Sequence, residues 1–206
     1  MAWPDPTPPG LAPPYAVAAY DGLVRDLVLG HKERGLTGLR RVLGDLLARS
    51  IDQALRDAGA VGAVLLVPVP TRAASARARG RDPLLEITRA AAGLVAAPKG
   101  VDRVVVGRLL RSRPGVVDQA GLGVEARRAN LAGSMACRPG AVRRVAARLG
   151  AAHVVVCDDV LTTSSTAREA QRALEAVGLS VLAVATVAAT PRRRRPQSKL
   201  HGETSA

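Results

Sequence analysis

The sequence predicts an α/β protein in which a parallel β-sheet is flanked by helices. Residues 63–69 and 153–157 form continuous apolar runs, which are typical of parallel strands buried on both faces. Between such runs apolar residues recur at helical spacing, so strands and helices alternate as they do in doubly wound sheets. A chain of 206 residues, 48% of them hydrophobic, is long enough to bury one core of this kind.

Local signals assign the elements in chain order. Residues 1–14 are rich in proline, which predicts a flexible, extended tail. Residues 15–58 are predicted to be helical, with a break at 31–35 that divides them into two helices. The remaining predicted elements are strand 63–69, helix 83–97, strand 101–110, a polar loop at 111–130, helix 141–149, strand 151–157, helix 166–176 and strand 180–188. The predicted organisation is a flexible tail (1–14), a helical N-terminal unit (15–60), an α/β core (61–190) and a basic disordered tail (191–206).

Composition restricts the partners and the compartment. The formal net charge of +13 favours polyanions, whether phosphorylated metabolites or nucleic acid. The aromatic residues that single-stranded nucleic acid stacks on are scarce, namely Trp3, Tyr15 and Tyr20. Two widely spaced cysteines exclude a disulfide framework or a cysteine-rich zinc site. No secretory signal or membrane span is expected, because residues 1–14 lack an apolar centre and the longest uncharged apolar stretch is 177–190. We therefore expect a cytoplasmic protein.

The stretch 153–170 carries the clearest functional signal. An apolar run leads into Asp158 and Asp159, and a hydroxyl-rich turn precedes a helical pattern. The first N–H groups of a helix have no partner within the helix, and the helix dipole favours negative charge there, so the turn predicts a phosphate site. The acids are placed to hold sugar hydroxyls or a phosphate-bound Mg²⁺. The alternative is a simple capped helix, which needs neither acids nor threonines. The turn residues are Thr162, Thr163, Ser164, Ser165 and Thr166.

Residues 155–166 resemble the phosphoribosyl-pyrophosphate (PRPP) loop of the type I phosphoribosyltransferases, in which two acids precede a Thr-Thr-Gly-x-Thr turn. The resemblance implies that family's parallel sheet, with residues 15–60 as a helical hood over it. One position departs, because Ser164 stands where the family usually has glycine. If the turn requires a positive φ there, serine costs about 1–2 kcal/mol.

Residues 20–189 are similar more specifically to the ComF/GntX family of phosphoribosyltransferase-like proteins linked to bacterial DNA uptake. The matching residues, in order, are Tyr20, Arg25, His31, Lys32 and Gly35; Val67, Pro68, Val69 and Pro70; Arg72, Arg77, Arg79 and Gly80; and Gln119, Leu122, Arg127 and Asn130. Two features depart: Arg81, Asp82 and Pro83 replace a common Phe-Asn-Gln, and the N-terminal cysteine zinc module of many members has no counterpart.

The resemblance implies roles for further residues. Thr71 and Arg72 would meet the pyrophosphate, unless they form only a structural turn. Arg77, Arg79 and Arg81 form either a basic wall or a solvated face. Lys32 either reaches the site from the hood or is solvated. A lid over the leaving pyrophosphate and an ordinary polar loop are the two alternatives for Gln119, Arg127, Arg128 and Asn130. Outside the resembling range, the charge of Arg192, Arg193, Arg194 and Arg195 predicts either a nucleic-acid contact or a charged tail.

The leading hypothesis is a phosphoribosyltransferase that binds PRPP with Mg²⁺ and transfers phosphoribose to an acceptor the sequence does not identify. Asp158 and Asp159 would be the catalytic and metal-binding pair. One alternative is a non-catalytic protein of DNA uptake or processing that binds a phosphoribosyl nucleotide and contacts DNA or uptake proteins. Another is a PRPP sensor that binds without turnover. The oligomeric state is left open.

Overall fold

A computed structural model describes residues 1–2, 7–71, 80–113 and 133–190. Within them, five parallel strands form one sheet in the order β1-β7-β6-β2-β3, and two short antiparallel strands, β4 and β5, form a hairpin. The elements are β1 Pro14–Ala19, α1 Gly22–Lys32, a 3₁₀ turn Thr37–Leu39, α2 Arg40–Asp57, β2 Gly62–Pro68, α3 Pro83–Ala92, β3 Val101–Val106, β4 Leu110–Ser112, β5 Met135–Cys137, α4 Pro139–Leu149, β6 Ala152–Leu161, α5 Ser165–Glu175 and β7 Val181–Ala189. The predicted α/β class with a parallel sheet flanked by helices is confirmed.

Helices α1, α2 and α3 cover one face of the sheet. Along α2, Leu43, Leu47, Ile51 and Leu55 recur every four residues and are fully buried, so they form one apolar stripe against the strands. Gly44 lies where α2 meets α3, and a Cβ added there would come within 2.7 Å of the Ala90 Cβ. The glycine therefore sets the close approach of these two helices.

The other face carries α4, α5, the hairpin and the N-terminal segment. Glu169 of α5 is buried and accepts hydrogen bonds from Met135 N at 2.9 Å and from Arg172 Nε and Nη2 at 2.7 and 2.8 Å. Arg172 Nη2 also donates to Met135 O at 3.1 Å, so this pair ties β5 to α5. The pKa of Glu169 is lowered: burial opposes its charge, but the hydrogen bonds from Arg172 and the backbone outweigh burial.

Several elements differ from the sequence prediction. The predicted helical stretch from residue 15 begins as a strand, since Pro14–Ala19 pairs along β7, an interaction that local periodicity does not encode. The predicted strand 101–110 ends at Val106, and the hairpin strand Leu110–Ser112 begins after a break. Its partner Met135–Cys137 was not predicted.

The segment before β1 is held against α5, although the sequence predicted a flexible tail over residues 1–14. Leu11 and Ala12 are buried. Gln171 accepts a hydrogen bond from Ala12 N at 2.9 Å and donates one to Gly10 O at 2.9 Å. These contacts pair backbone groups that proline-rich chain leaves without secondary-structure partners. The predicted tail 191–206 lies outside the described residues.

Candidate functional site

The candidate site lies at the ends of the neighbouring strands β2 and β6, from which the chain continues towards opposite edges of the sheet. Strand β2 continues to β3, whereas β6 continues to β7 on the other side. Ligands of open parallel sheets bind in the crevice beyond the carboxyl ends of such strands. A cavity of about 460 Å³ lies beside these ends. Its walls are formed by Tyr20, Val28, Leu29, Lys32, Glu33, Val69, Pro70, Thr71, Pro83, Leu84, Asp158, Asp159, Val160, Thr162 and Thr166.

Asp158 and Asp159 line this cavity and lie within β6, although the predicted strand ended before them at residue 157. The strand runs on to Leu161 because β7 continues to pair with it, with Asp158 opposite Thr186 and Leu161 opposite Ala189. Asp158 Oδ1 accepts a hydrogen bond from Asp159 N, and Asp159 Oδ1 accepts one from Val160 N, both at 2.9 Å. Each carboxylate is therefore fixed by the backbone that follows it.

Lys32 is the last residue of α1, and its side chain reaches the acid pair. Its Nζ donates to Asp159 Oδ2 at 2.6 Å. Burial lowers the pKa of Lys32, but attraction to Asp159 and Asp158 outweighs burial, so the pKa is raised and the ammonium stays charged. Of the two open alternatives, the structure shows Lys32 at the site.

Asp158 lies beside a second carboxyl group in the cavity wall. Burial, and then the adjacent Asp159 carboxylate, raise the pKa of Asp158 well above its usual range. Two adjacent carboxyl groups are hard to ionise together in a partly buried cavity. Asp158 therefore retains its proton nearer to neutral pH than an ordinary aspartate does. Such a carboxyl group can both donate to and accept from sugar hydroxyls.

The turn between β6 and α5 presents free backbone donors. Within the described part of the chain, no hydrogen bond is donated by the backbone N–H groups of residues 163–167; the first helical bond runs from Arg168 N to Ser164 O at 2.8 Å. Thr162 and Thr166 line the cavity, while the hydroxyls of Thr163 and Ser165 lie 3.1 Å apart and bond each other. A helix N-terminus of this kind attracts an anion.

Ser164 occupies the left-handed region, with φ 58° and ψ 8°. The positive φ considered in the sequence analysis is therefore present. The Ser164 hydroxyl is buried, makes no hydrogen bond within the described residues and does not cap the helix. The serine therefore adds strain without a bond that offsets it.

Thr71 lies on the cavity wall, three residues after the end of β2. Its hydroxyl donates to Asp82 Oδ1 at 2.9 Å, and the same oxygen caps α3 by accepting from Leu85 N at 3.2 Å. The hydroxyl is thus committed to the cap of α3. The other predicted site residues lie outside the described residues, namely Arg72, Arg77, Arg79, Gln119, Arg127 and Asn130.

Arg81 is an internal clamp. Its guanidinium bonds Glu86 at 2.6 and 3.1 Å and donates to the carbonyl oxygen of His31 at 2.7 Å. The His31 ring, fully buried, lies 3.3 Å from the carbonyl oxygens of Leu36 and Pro83. These bonds join the end of α1 to α3 one residue before Lys32. Of the two interpretations of Arg81, neither the basic wall nor the solvated face describes it.

Sequence reasoning missed the apolar part of the cavity wall. Val28 and Leu29 lie four and three residues before Lys32, on the same side of α1. Helical spacing from Lys32 could have identified them. Leu84 has no such signal, because it reaches the cavity through the packing of α3.

The oxygens of the acid pair decide how a metal would fit. Three of the four are engaged, two by backbone N–H groups and one by Lys32. Among the described residues no group of three His, Cys, Asp or Glu side chains is arranged to hold a metal ion. The donors fit a Mg²⁺ that arrives bound to phosphate oxygens of a ligand, which is how proteins commonly hold this ion. Asp158 and Asp159 would then be the residues that face it.

The chain matches no protein-family model and no curated protein sequence. In the described residues, no helix combines the length and the apolar character needed to cross a membrane.

Proposed function

We propose that this chain is a phosphoribosyltransferase-like protein that binds PRPP together with Mg²⁺. The observation that carries the proposal is the row of free N–H groups at residues 163–167, beside two acids at the switch point of a parallel sheet. The resemblance of residues 155–166 to the PRPP loop supports the same ligand. A simple capped helix explains neither the acid pair nor the adjoining cavity.

Each part of the proposed ligand has a matching group. The 5′-phosphate accepts hydrogen bonds from the free N–H groups of the turn. The ribose hydroxyls lie against Asp158 and Asp159, whose carboxyl groups can hydrogen-bond them. The pyrophosphate extends toward the segment after β2, where Thr71 forms the cavity wall. The cavity of about 460 Å³ falls within the range of small-molecule sites.

Transfer would proceed by displacement at the anomeric carbon of the ribose. The acceptor forms the new bond there, the bond to pyrophosphate breaks, and the electron pair leaves with the pyrophosphate. A bound Mg²⁺ would stabilise the charge that grows on this leaving group. The turn and the acid pair contribute by holding ribose and phosphate in one orientation.

Calorimetry with PRPP and Mg²⁺ tests the proposal. The wild type is expected to bind, and Asp159→Asn, which changes the carboxylate paired with Lys32, is expected to weaken binding at least about tenfold, since a hydrogen bond to a charged group contributes about 1.5–3 kcal/mol. Asp45→Asn, at an exposed position on α2, is the matched control and should bind as the wild type does. Absence of binding to the wild type would refute the proposal. Pyrophosphate release with an acceptor base separates an enzyme from a sensor.

A second candidate function, nucleic-acid binding, is favoured by an excess of exposed arginines in β3, β4, α4 and the residues that flank them. Residues 103–113 and 133–150 contain eight arginines and no acidic residue. All eight are exposed: Arg103, Arg108, Arg111, Arg113, Arg138, Arg143, Arg144 and Arg148. No aromatic residue lies in these two stretches, so contact would be with phosphates and not with stacked bases.

Fluorescence anisotropy with duplex and single-stranded DNA tests this second candidate. Affinity should fall steeply with salt, and Arg143→Glu/Arg144→Glu should weaken binding and flatten the salt dependence. Arg25→Glu/Arg41→Glu, on helices α1 and α2 of the other face, is the control with the same change in net charge. Equal losses in both variants, or no binding at low salt, would exclude these arginines as the contact.

A further inference from the structure

The contact between Lys32 and Asp159 joins two distant parts of the chain inside the candidate site. The ammonium lies 2.6 Å from Asp159 Oδ2, and the side chains of Lys32 and Asp159 are 40% and 14% exposed. Asp159 Oδ1 is already bonded to Val160 N. Lys32 therefore occupies the one oxygen of Asp159 that its own backbone leaves open.

The position of Lys32 is fixed by its neighbours. His31, the preceding residue, is fully buried, and its carbonyl oxygen accepts a hydrogen bond from Arg81 Nη1 at 2.7 Å. Arg81 is in turn bonded to Glu86 of α3. The end of α1 is thus clamped to α3, and the ion pair is held at the cavity by a partly buried support. An exposed pair of long side chains lacks such support.

An ammonium at this place opposes the binding of a free divalent cation. A cation bound through Asp159 Oδ2 would need an oxygen that Lys32 now engages, and it would lie within a few ångströms of a like charge. A cation carried by a pyrophosphate brings its own oxygens and a compensating negative charge. The Lys32 ammonium therefore repels a free divalent cation more strongly than it repels a cation bound to pyrophosphate.

We propose that Lys32 is a selectivity residue, whose ammonium neutralises Asp159 in place of a free divalent cation and so reserves the cavity for a metal that arrives on a phosphorylated ligand. The identity of that ligand rests on the proposed function. The competition between Lys32 and a free cation does not, because it follows from the ion pair alone.

Titration with Mn²⁺ alone, followed by electron paramagnetic resonance, tests the competition. Lys32→Met is expected to bind one Mn²⁺ at least about tenfold more tightly than the wild type, because a like charge a few ångströms away is removed. Lys32→Arg, which keeps a positive charge at this position, should bind Mn²⁺ as weakly as the wild type does. Arg25→Met, which removes an exposed charge two turns earlier on α1, should bind as the wild type does. The double variant Lys32→Met/Asp159→Asn should lose the gain.

The proposal is overturned if Lys32→Met binds Mn²⁺ no more tightly than Arg25→Met, or if the gain survives in the double variant. Should Lys32→Met fail to give a cooperative thermal transition, Lys32→Gln carries the same test. Calorimetry of the wild type with PRPP and Mg²⁺ separates this outcome from that of the proposed function. If Lys32→Met binds Mn²⁺ more tightly but the wild type does not bind PRPP, the role of Lys32 is supported and PRPP is refuted as the ligand. If the wild type binds PRPP but Lys32→Met shows no increase in Mn²⁺ affinity, PRPP is supported and the role of Lys32 is refuted.

Discussion

Replacement of Ser164 by glycine is expected to stabilise the protein, although it removes a side chain at the start of a helix. Ser164 is one of two non-glycine residues with positive φ among the described residues. Its hydroxyl makes no hydrogen bond there and does not cap α5. The usual penalty for losing an N-cap serine therefore does not apply.

Three contributions set the magnitude. Release of left-handed strain stabilises by about 1–2 kcal/mol. Removal of a buried hydroxyl without a partner adds about 1 kcal/mol. The greater freedom of glycine in the unfolded chain opposes these by about 0.5–1 kcal/mol. The sum is a stabilisation of about 1.5 kcal/mol, which for a chain of this length raises Tm by roughly 3–6 °C.

Calorimetric melting of four proteins without ligand checks this reasoning: the wild type, Ser164→Gly, Ser164→Ala and Ser165→Gly. Ser165 is the first residue of α5 and lies outside the positive-φ set, so glycine there should lower stability by about 0.5–1 kcal/mol. Ser164→Ala keeps the strain but loses the hydroxyl and should fall between wild type and Ser164→Gly. A Tm for Ser164→Gly at or below that of Ser165→Gly would refute the assignment of strain.

Other substitutions test the packing and its pH dependence. Glu169→Gln is expected to cost about 2–3 kcal/mol of unfolding free energy by urea denaturation, since it weakens the bonds to Arg172 and to Met135 N; no loss would contradict the tie. Because the pKa of Glu169 is lowered on folding, the stability it contributes is present above its unfolded pKa of about 4.3 and is lost as pH falls through its lower folded value. Wild-type stability should therefore fall more than that of Glu169→Gln between about pH 5 and pH 3, and parallel curves would contradict this. Gly44→Ala should destabilise by about 1–3 kcal/mol despite better helix propensity, because its Cβ meets Ala90; a higher Tm would show that the helices can separate freely.

The sequence was most informative where local pattern and tertiary environment agree. The apolar run 63–69 corresponds to β2 with an offset of one residue. It could be predicted because a strand that is buried on both faces is apolar at consecutive positions. Tyr15 and its neighbours were predicted to be helical and became β1, since their conformation is decided by pairing with β7 about 170 residues later. The continuation of β6 through the acids has the same cause.

The residues of the candidate site likewise include some that local sequence predicts and others that only tertiary contacts bring together. The acids and the hydroxyl-rich turn are contiguous in sequence, so their proximity could be predicted. The contact of Lys32 with Asp159 spans 127 positions and depends on the clamp that Arg81 makes with His31. No local spacing encodes that clamp. The bond of the Thr71 hydroxyl to Asp82, the N-cap residue of α3, was not predicted, because Asp82 lies within reach of Thr71 only in the folded chain.

The most direct test of the anion site is the response of individual amides to a phosphate ester. In ¹H–¹⁵N spectra, titration with ribose 5-phosphate should move the amide signals of residues 163–167 downfield in one saturable step, as expected when free N–H groups gain charged acceptors. Amides in the middle of α2 should stay in place. If the signals of residues 163–167 do not move while the ester binds, or if no saturable change occurs, the turn is not the phosphate site.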